Sequence, residues 1–161
     1  MPSFDIVSKV EMNEVDNAIS GVVREIGQRF DFKGSHCTVE RKDADVTMIA
    51  DDETKLRQMQ ELLRVHMTRR KVEHQALSFG EAAKAAQGRL RQVVTVRQGI
   101  DRELAKSIVQ SIKGTKLKVQ VAVQGDELRV SGKKIDELQD AIAHVRGLGI
   151  EQPLQYVNFR S

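Results

Sequence analysis

KLKVQVAVQGDELRVSGK, residues 116–133, is the stretch that decides the fold. Leu117, Val119, Val121 and Val123 recur at every second position, the period of a strand with one buried face. Gly125-Asp126 supplies a two-residue hairpin turn, and Leu128 and Val130 resume the alternation on the other side. The reading predicts an antiparallel hairpin with its valine face on a core and Lys118, Gln120, Arg129 and Ser131 on the opposite face.

Moving outward, residues 90–97 form an apolar run of strand type, and a helix starts near Asp101 with Leu104, Ile108 and Ile112 on one side. A further helix is expected over about 134–146 and a last strand over 154–159. Placing Val157 and Phe159 in the core sends Tyr156, Asn158 and Arg160 to the outer face beside Arg129. The same order occurs earlier in the chain. A strand at 4–10 precedes a helix with Val15, Ile19, Val22, Val23 and Ile26 at helical spacing. Strands at 37–42 and 46–50 flank Asp43-Ala44-Asp45, and a helix opened by Asp51-Asp52-Glu53 runs to about Arg69 with Leu56, Met59 and Leu63 inward. Residues 72–88 read as a connector, its Ala-rich part expected to form a helical turn or two.

Lys33-Gly34 precedes the first hairpin as Lys113-Gly114 precedes the second, which points to internal duplication. The fold class that follows is α+β: a tandem of two ferredoxin-like (ribonucleoprotein-like) βαββαβ modules, each with helices on one face of an antiparallel sheet. In both copies the Lys-Gly pair is expected to end a helix, Lys opposing its negative terminus and Gly taking a left-handed cap.

Composition narrows the function. The chain has 161 residues, 40 % hydrophobic and 30 % charged, with a formal net charge of +3. This suits a small phosphate ligand or single-stranded RNA without the concentrated basic stripe expected for duplex DNA. No run approaches a membrane span and the first residues lack a signal-peptide pattern, so the cytoplasm is the expected location and no membrane partner is expected. The single Cys37 has no disulfide partner, and neither it nor His36 stands at metal-ligand spacing. His36, His66, His74 and His144 are scattered, with no nucleophile and base paired in sequence and no complete phosphate loop, so neither catalysis nor a cofactor is expected.

Three constellations remain. In RFDFKG (29–34), Phe30 and Phe32 either plug the core, or one ring stacks on a base while Arg29 or Lys33 meets phosphate. Lys133 and Lys134 stand where a helix begins and oppose its macrodipole unless an anion joins them. The polar sheet face offers Lys118, Arg129, Tyr156 and Arg160 to a purine edge and a phosphate.

MPSFDIVS (1–8), RFDFKG (29–34), KLKVQVAVQGDELRVSGK (116–133) and QPLQYVNFR (152–160) resemble the YajQ family of bacterial nucleotide-binding proteins. Tyr156 stands where that family usually has Phe. The resemblance implies modules that exchange first strands: one over 11–98, with its last strand near 89–98, and one made of 1–10 plus 99–161. It also implies binding of cyclic di-GMP or a related guanine nucleotide. The function expected is a non-enzymatic effector that passes its binding state to a protein partner. A single-stranded RNA-binding protein and an interaction scaffold without nucleotide are the alternatives.

Overall fold

The computed structural model describes all residues, Met1–Ser161. The elements are β1 (Ser3–Val7), α1 (Met12–Gln28), β2 (Thr38–Lys42), β3 (Asp45–Ala50), α2 (Glu53–Arg69), β4 (Leu77–Phe79), β5 (Ala83–Lys84), β6 (Leu90–Val96), α3 (Arg102–Lys113), β7 (Val119–Gln124), β8 (Glu127–Gly132), α4 (Ile135–Arg146) and β9 (Gln155–Arg160). The chain forms two compact units, Val10–Arg97 and Met1–Lys9 with Gln98–Ser161.

In the unit of residues 10–97, the sheet order is β2-β3-β6-β4, with β5 also paired to β6. In the other unit it is β7-β8-β1-β9. Every pairing is antiparallel. Each unit is a ferredoxin-like sheet whose first strand comes from the other half of the chain: β1 lies between β8 and β9, and β6 between β3 and β4. The exchanged strands are thus central, β1 taking part in two ladders and β6 in three.

Helical faces follow the apolar spacing. Val15, Ala18, Ile19 and Val22 of α1 meet Leu56, Met59, Leu63 and Met67 of α2 and Val46, Met48 and Val94 of the sheet in one core. Ile108 and Ile112 of α3, Leu138 and Ile142 of α4, and Phe4, Ile6, Leu128 and Val130 form the other. Asp52 and Asp101 cap α2 and α3, their carboxylates accepting from the backbone N–H of Lys55 and Leu104 at 2.8 Å. No helix is long and apolar enough to cross a membrane.

The segment expected to be a connector is different. Leu77–Phe79 and Ala83–Lys84 pair with β6 as β4 and β5, so the middle of the Ala-rich stretch is extended and the expected helical turn is reduced to one 3-10 turn at Ala86–Gly88. An open backbone edge on β6 outweighs the weak helical preference of a few alanines. A left-handed glycine is confined to one copy, and there it follows the 3-10 turn Phe30–Phe32 rather than ending α1, which stops at Gln28. Gly34 has φ 75°, whereas Gly114 has φ −73° and continues in helical geometry. There the Thr115 hydroxyl donates to the Ile112 carbonyl at 2.6 Å and satisfies the helix end without a left-handed residue.

Candidate functional site

The RFDFKG loop separates its two rings. Helix α1 stops at Gln28, Arg29 is extended, and Phe30–Phe32 makes one 3-10 turn before Gly34 reverses the chain. That turn sends Phe32 into the core at 3 % exposure and leaves Phe30 at 86 %. Arg29 is consumed locally. Its Nε and Nη2 donate to Asp31 Oδ1 and Oδ2 at 3.0 and 2.7 Å, and its Nη1 donates to Glu25 Oε2 at 3.3 Å. The Arg29 guanidinium holds the Asp31 carboxyl below its usual range, with Lys55 adding a smaller pull. Glu25 is held low by the His66 ring, whose Nε2 sits 2.8 Å from Oε1, and then by Arg29. Lys55 Nζ donates to the Asp31 carbonyl, and Gln58 Nε2 to Asp31 Oδ2 at 3.3 Å.

This network clamps the loop and leaves Phe30 and Lys33 outside it. Lys33 makes no ion pair, and its Nζ lies 5.9 Å from the centre of the Phe30 ring. Ring and ammonium border a hollow of about 500 Å³ that Ile26, Gly34 and Ser35 also line. A flat apolar face beside a cation suits a planar base carrying a phosphate.

Lys118 and Lys133 meet elsewhere, in a cavity of about 530 Å³ lined also by Lys134, Met1, Gln120 and Glu137. Lys134 is the N-cap of α4 and makes no side-chain capping bond; Asp136 and Glu137 in the first turn offset the like charge at the helix start.

The outer sheet face carries a buried ion pair that sequence reading missed. Asp5 is opposite Arg129 across β1 and β8 and is 3 % exposed. Arg129 Nε and Nη2 donate to its Oδ1 and Oδ2 at 2.9 and 3.3 Å, and Asn158 Nδ2 donates to Oδ2 at 2.9 Å. Arg129 is the main cause of a lowered Asp5 pKa, with Asn158 and Arg160 acting in the same direction against burial. Both donors that Arg129 offers Asp5 are therefore committed within the sheet. A signal was present in FDIV, where a lone carboxylate inside an apolar strand demands a partner.

Tyr156 is not on that face. It pairs with Ile6, packs against the α3–α4 core, lies 6.2 Å from the Phe4 ring and has Arg146 5.1 Å over its own ring. Burial pushes its hydroxyl pKa up. Strict alternation fails because the β1–β9 register shifts between Ser3 and Asp5, where Asn158 has φ 56°. Before this bulge the faces are the reverse of strict alternation back from Phe159, so Tyr156 lies on the core side and Val157 pairs with Asp5; past it, Phe159 stacks on Phe4 at 5.7 Å and Arg160 pairs with Ser3, on the faces expected for them.

Two of the scattered histidines have polar partners. His66 binds Glu25, and His144 Nε2 lies 2.7 Å from the Ser111 hydroxyl, tying α4 to α3. No group of three or more His, Cys, Asp or Glu is placed to hold a metal ion.

The nine expected site residues thus fall in four places: Arg29, Phe30, Phe32 and Lys33 in one loop; Lys118 and Lys133 in one cavity; Arg129 and Arg160 about Asp5; and Tyr156 on the core face.

The family model for "Nucleotide-binding protein YajQ-like" matches residues 2–160. A nucleotide-binding protein of Parvibaculum lavamentivorans is 63 % identical over 160 residues, covering 99 % of both chains. Nucleotide-binding proteins of Rhodospirillum centenum and Paramagnetospirillum magneticum are 60 % and 59 % identical over the same length and coverage. With the whole chain matched and the exchanged ferredoxin-like units in place, the protein belongs to the YajQ-like family.

Proposed function

We propose that this chain binds a guanine nucleotide at the RFDFKG loop, cyclic di-GMP being the ligand that the resemblance favours, and that it acts as a binding effector rather than an enzyme. One observation carries the reading: a phenylalanine ring left 86 % exposed beside an unpaired lysine and above a hollow. Leaving such a ring in water is unfavourable, and a stacked purine removes that exposure. Lys33 meets a phosphate on the same side, while Arg29, held by Asp31 and Glu25, keeps the turn in shape. The curated relatives, named nucleotide-binding proteins, support the ligand class.

Calorimetric titration with cyclic di-GMP, GTP and a short single-stranded RNA, repeated across salt concentrations, tests the reading. A small dianion is expected to bind with a shallow salt slope, since few counterions are released. Lys33→Ala is expected to weaken binding and Lys118→Ala to leave it unchanged. A steep slope with RNA alone assigns the protein to single-stranded RNA. Absence of binding to all three, or indifference to Lys33→Ala, refutes the site.

A further inference from the structure

Sheet edges invite other strands, and proteins usually guard them with charge, proline, bulges or brevity. Three edges here are guarded. Strand β2 carries Glu40, Arg41 and Lys42, β4 has only three residues, and β9 has the Asn158 bulge and ends in Arg160. Strand β7 is not. Its sequence VQVAVQ has neither charge nor proline, it ends the sheet order, and Val123 is 58 % exposed.

Beside this edge lies a groove of about 480 Å³ between β7 and α3. Ile100, Val109 and Val123 give it an apolar floor. Arg102, Lys106 and Lys113 also line it, at helical spacing along one stripe of α3, and no carboxylate does. None of the three cations is in an ion pair.

We propose that the β7 edge and the α3 groove form a docking surface for an extended acidic segment of a protein partner, which adds a strand to the sheet. Backbone hydrogen bonds to β7 supply the pairing. On the side facing α3, branched apolar residues fill the floor and aspartate or glutamate meets the cationic stripe. Charge selects this occupant over a second copy of the chain. Antiparallel pairing of two β7 edges would bring two α3 stripes together, placing like charges face to face. The surface shares no residue with the RFDFKG loop, so the proposal stands whether or not nucleotide binds there.

The test uses the full chain and a fluorescein-labelled octapeptide in which threonine alternates with glutamate and valine, read by fluorescence polarisation and amide hydrogen exchange. Saturable binding below millimolar peptide is expected, with exchange slowed at residues 119–124. Replacing glutamate by lysine in the peptide, or making the double variant Lys106→Glu with Lys113→Glu, is expected to weaken binding about tenfold or more. Both changes are on exposed groups, so melting stays as in the parent. Combining the lysine peptide with the charge-reversed protein is expected to restore binding, which a misfolded variant would not do. The proposal is overturned by no binding at millimolar peptide, by equal binding of both peptide charges, or by slowed exchange outside β7. Concentration-dependent protection of β7 without peptide would assign the edge to a second copy, and protection by a single-stranded RNA octamer would assign the stripe to nucleic acid; either overturns it.

Discussion

Phe30 and Phe32 stand two residues apart in one turn, and their alanine variants are expected to fail in opposite ways. An aromatic ring can bury about 200 Å² on folding, but Phe30 at 86 % exposure covers only about 30 Å² of it, worth about 0.7 kcal/mol at 25 cal/mol per Å². The Lys33 contact at 5.9 Å adds about 0.5 kcal/mol at most in an exposed position. Phe30→Ala is therefore expected to shift urea unfolding by about 1.2 kcal/mol at most. Phe32, at 3 % exposure among Val39, Leu56 and Met59, is expected to cost about 3–5 kcal/mol when truncated. Binding reverses the order. Loss of a stacking face removes about 1–3 kcal/mol per base, so Phe30→Ala is expected to raise the Kd for nucleotide about 5- to 150-fold. The assays are urea unfolding followed by circular dichroism and calorimetric titration on the same preparations. A Phe30→Ala protein that binds like the parent, or that unfolds as readily as Phe32→Ala, refutes the assignment of the ring to ligand.

Cutting the chain after Gly88 is expected to leave neither half with a cooperative melt, because β6 is taken from between β3 and β4 and β1 from between β8 and β9; a sharp transition in either purified fragment contradicts this. Acid stability is expected to depend on Asp5. Arg129 lowers its folded pKa below the unfolded value of about 3.9, so its contribution is complete above that pH and disappears as pH falls through the folded pKa. Urea unfolding from pH 7 to pH 2 is expected to show a shallower acid limb for Asp5→Asn. Gly21→Ala is expected to destabilise by about 1–3 kcal/mol, since the new methyl carbon falls 2.5 Å from His66 Nδ1 on a half-covered helix face. The imidazole signals of His66 are expected to move as its bond to Glu25 is lost, and unchanged signals would show that the ring yields without leaving Glu25.

The hairpin of β7 and β8 was legible because its alternation is local and its turn is two residues long. Helix faces were legible for the same reason. Strand β4 was not, because LSF is too short to show a period and gains its place only from the distant β6. Tyr156 was assigned to the wrong face because a bulge shows no period of its own, and Asn158 looks like any polar strand residue until its φ is known. At the candidate loop the choice between the two phenylalanines depends on a single 3-10 turn, which no spacing rule specifies. The pairing of Asp5 with Arg129 spans 124 residues and follows only once the strand exchange places β1 beside β8.

The exchange also sets a timetable for synthesis. Strand β1, with Phe4 and Ile6 among its side chains, leaves the ribosome well before both neighbours that cover it, β8 and β9. The 124 residues separating Asp5 from Arg129 take about 6–25 s to translate at the usual 5–20 residues per second. Throughout that interval the first strand is an apolar segment without a partner, while the contiguous unit of residues 10–97 is free to close behind it. A nascent chain in which β1 stays shielded until β8 and β9 are made is what this topology calls for.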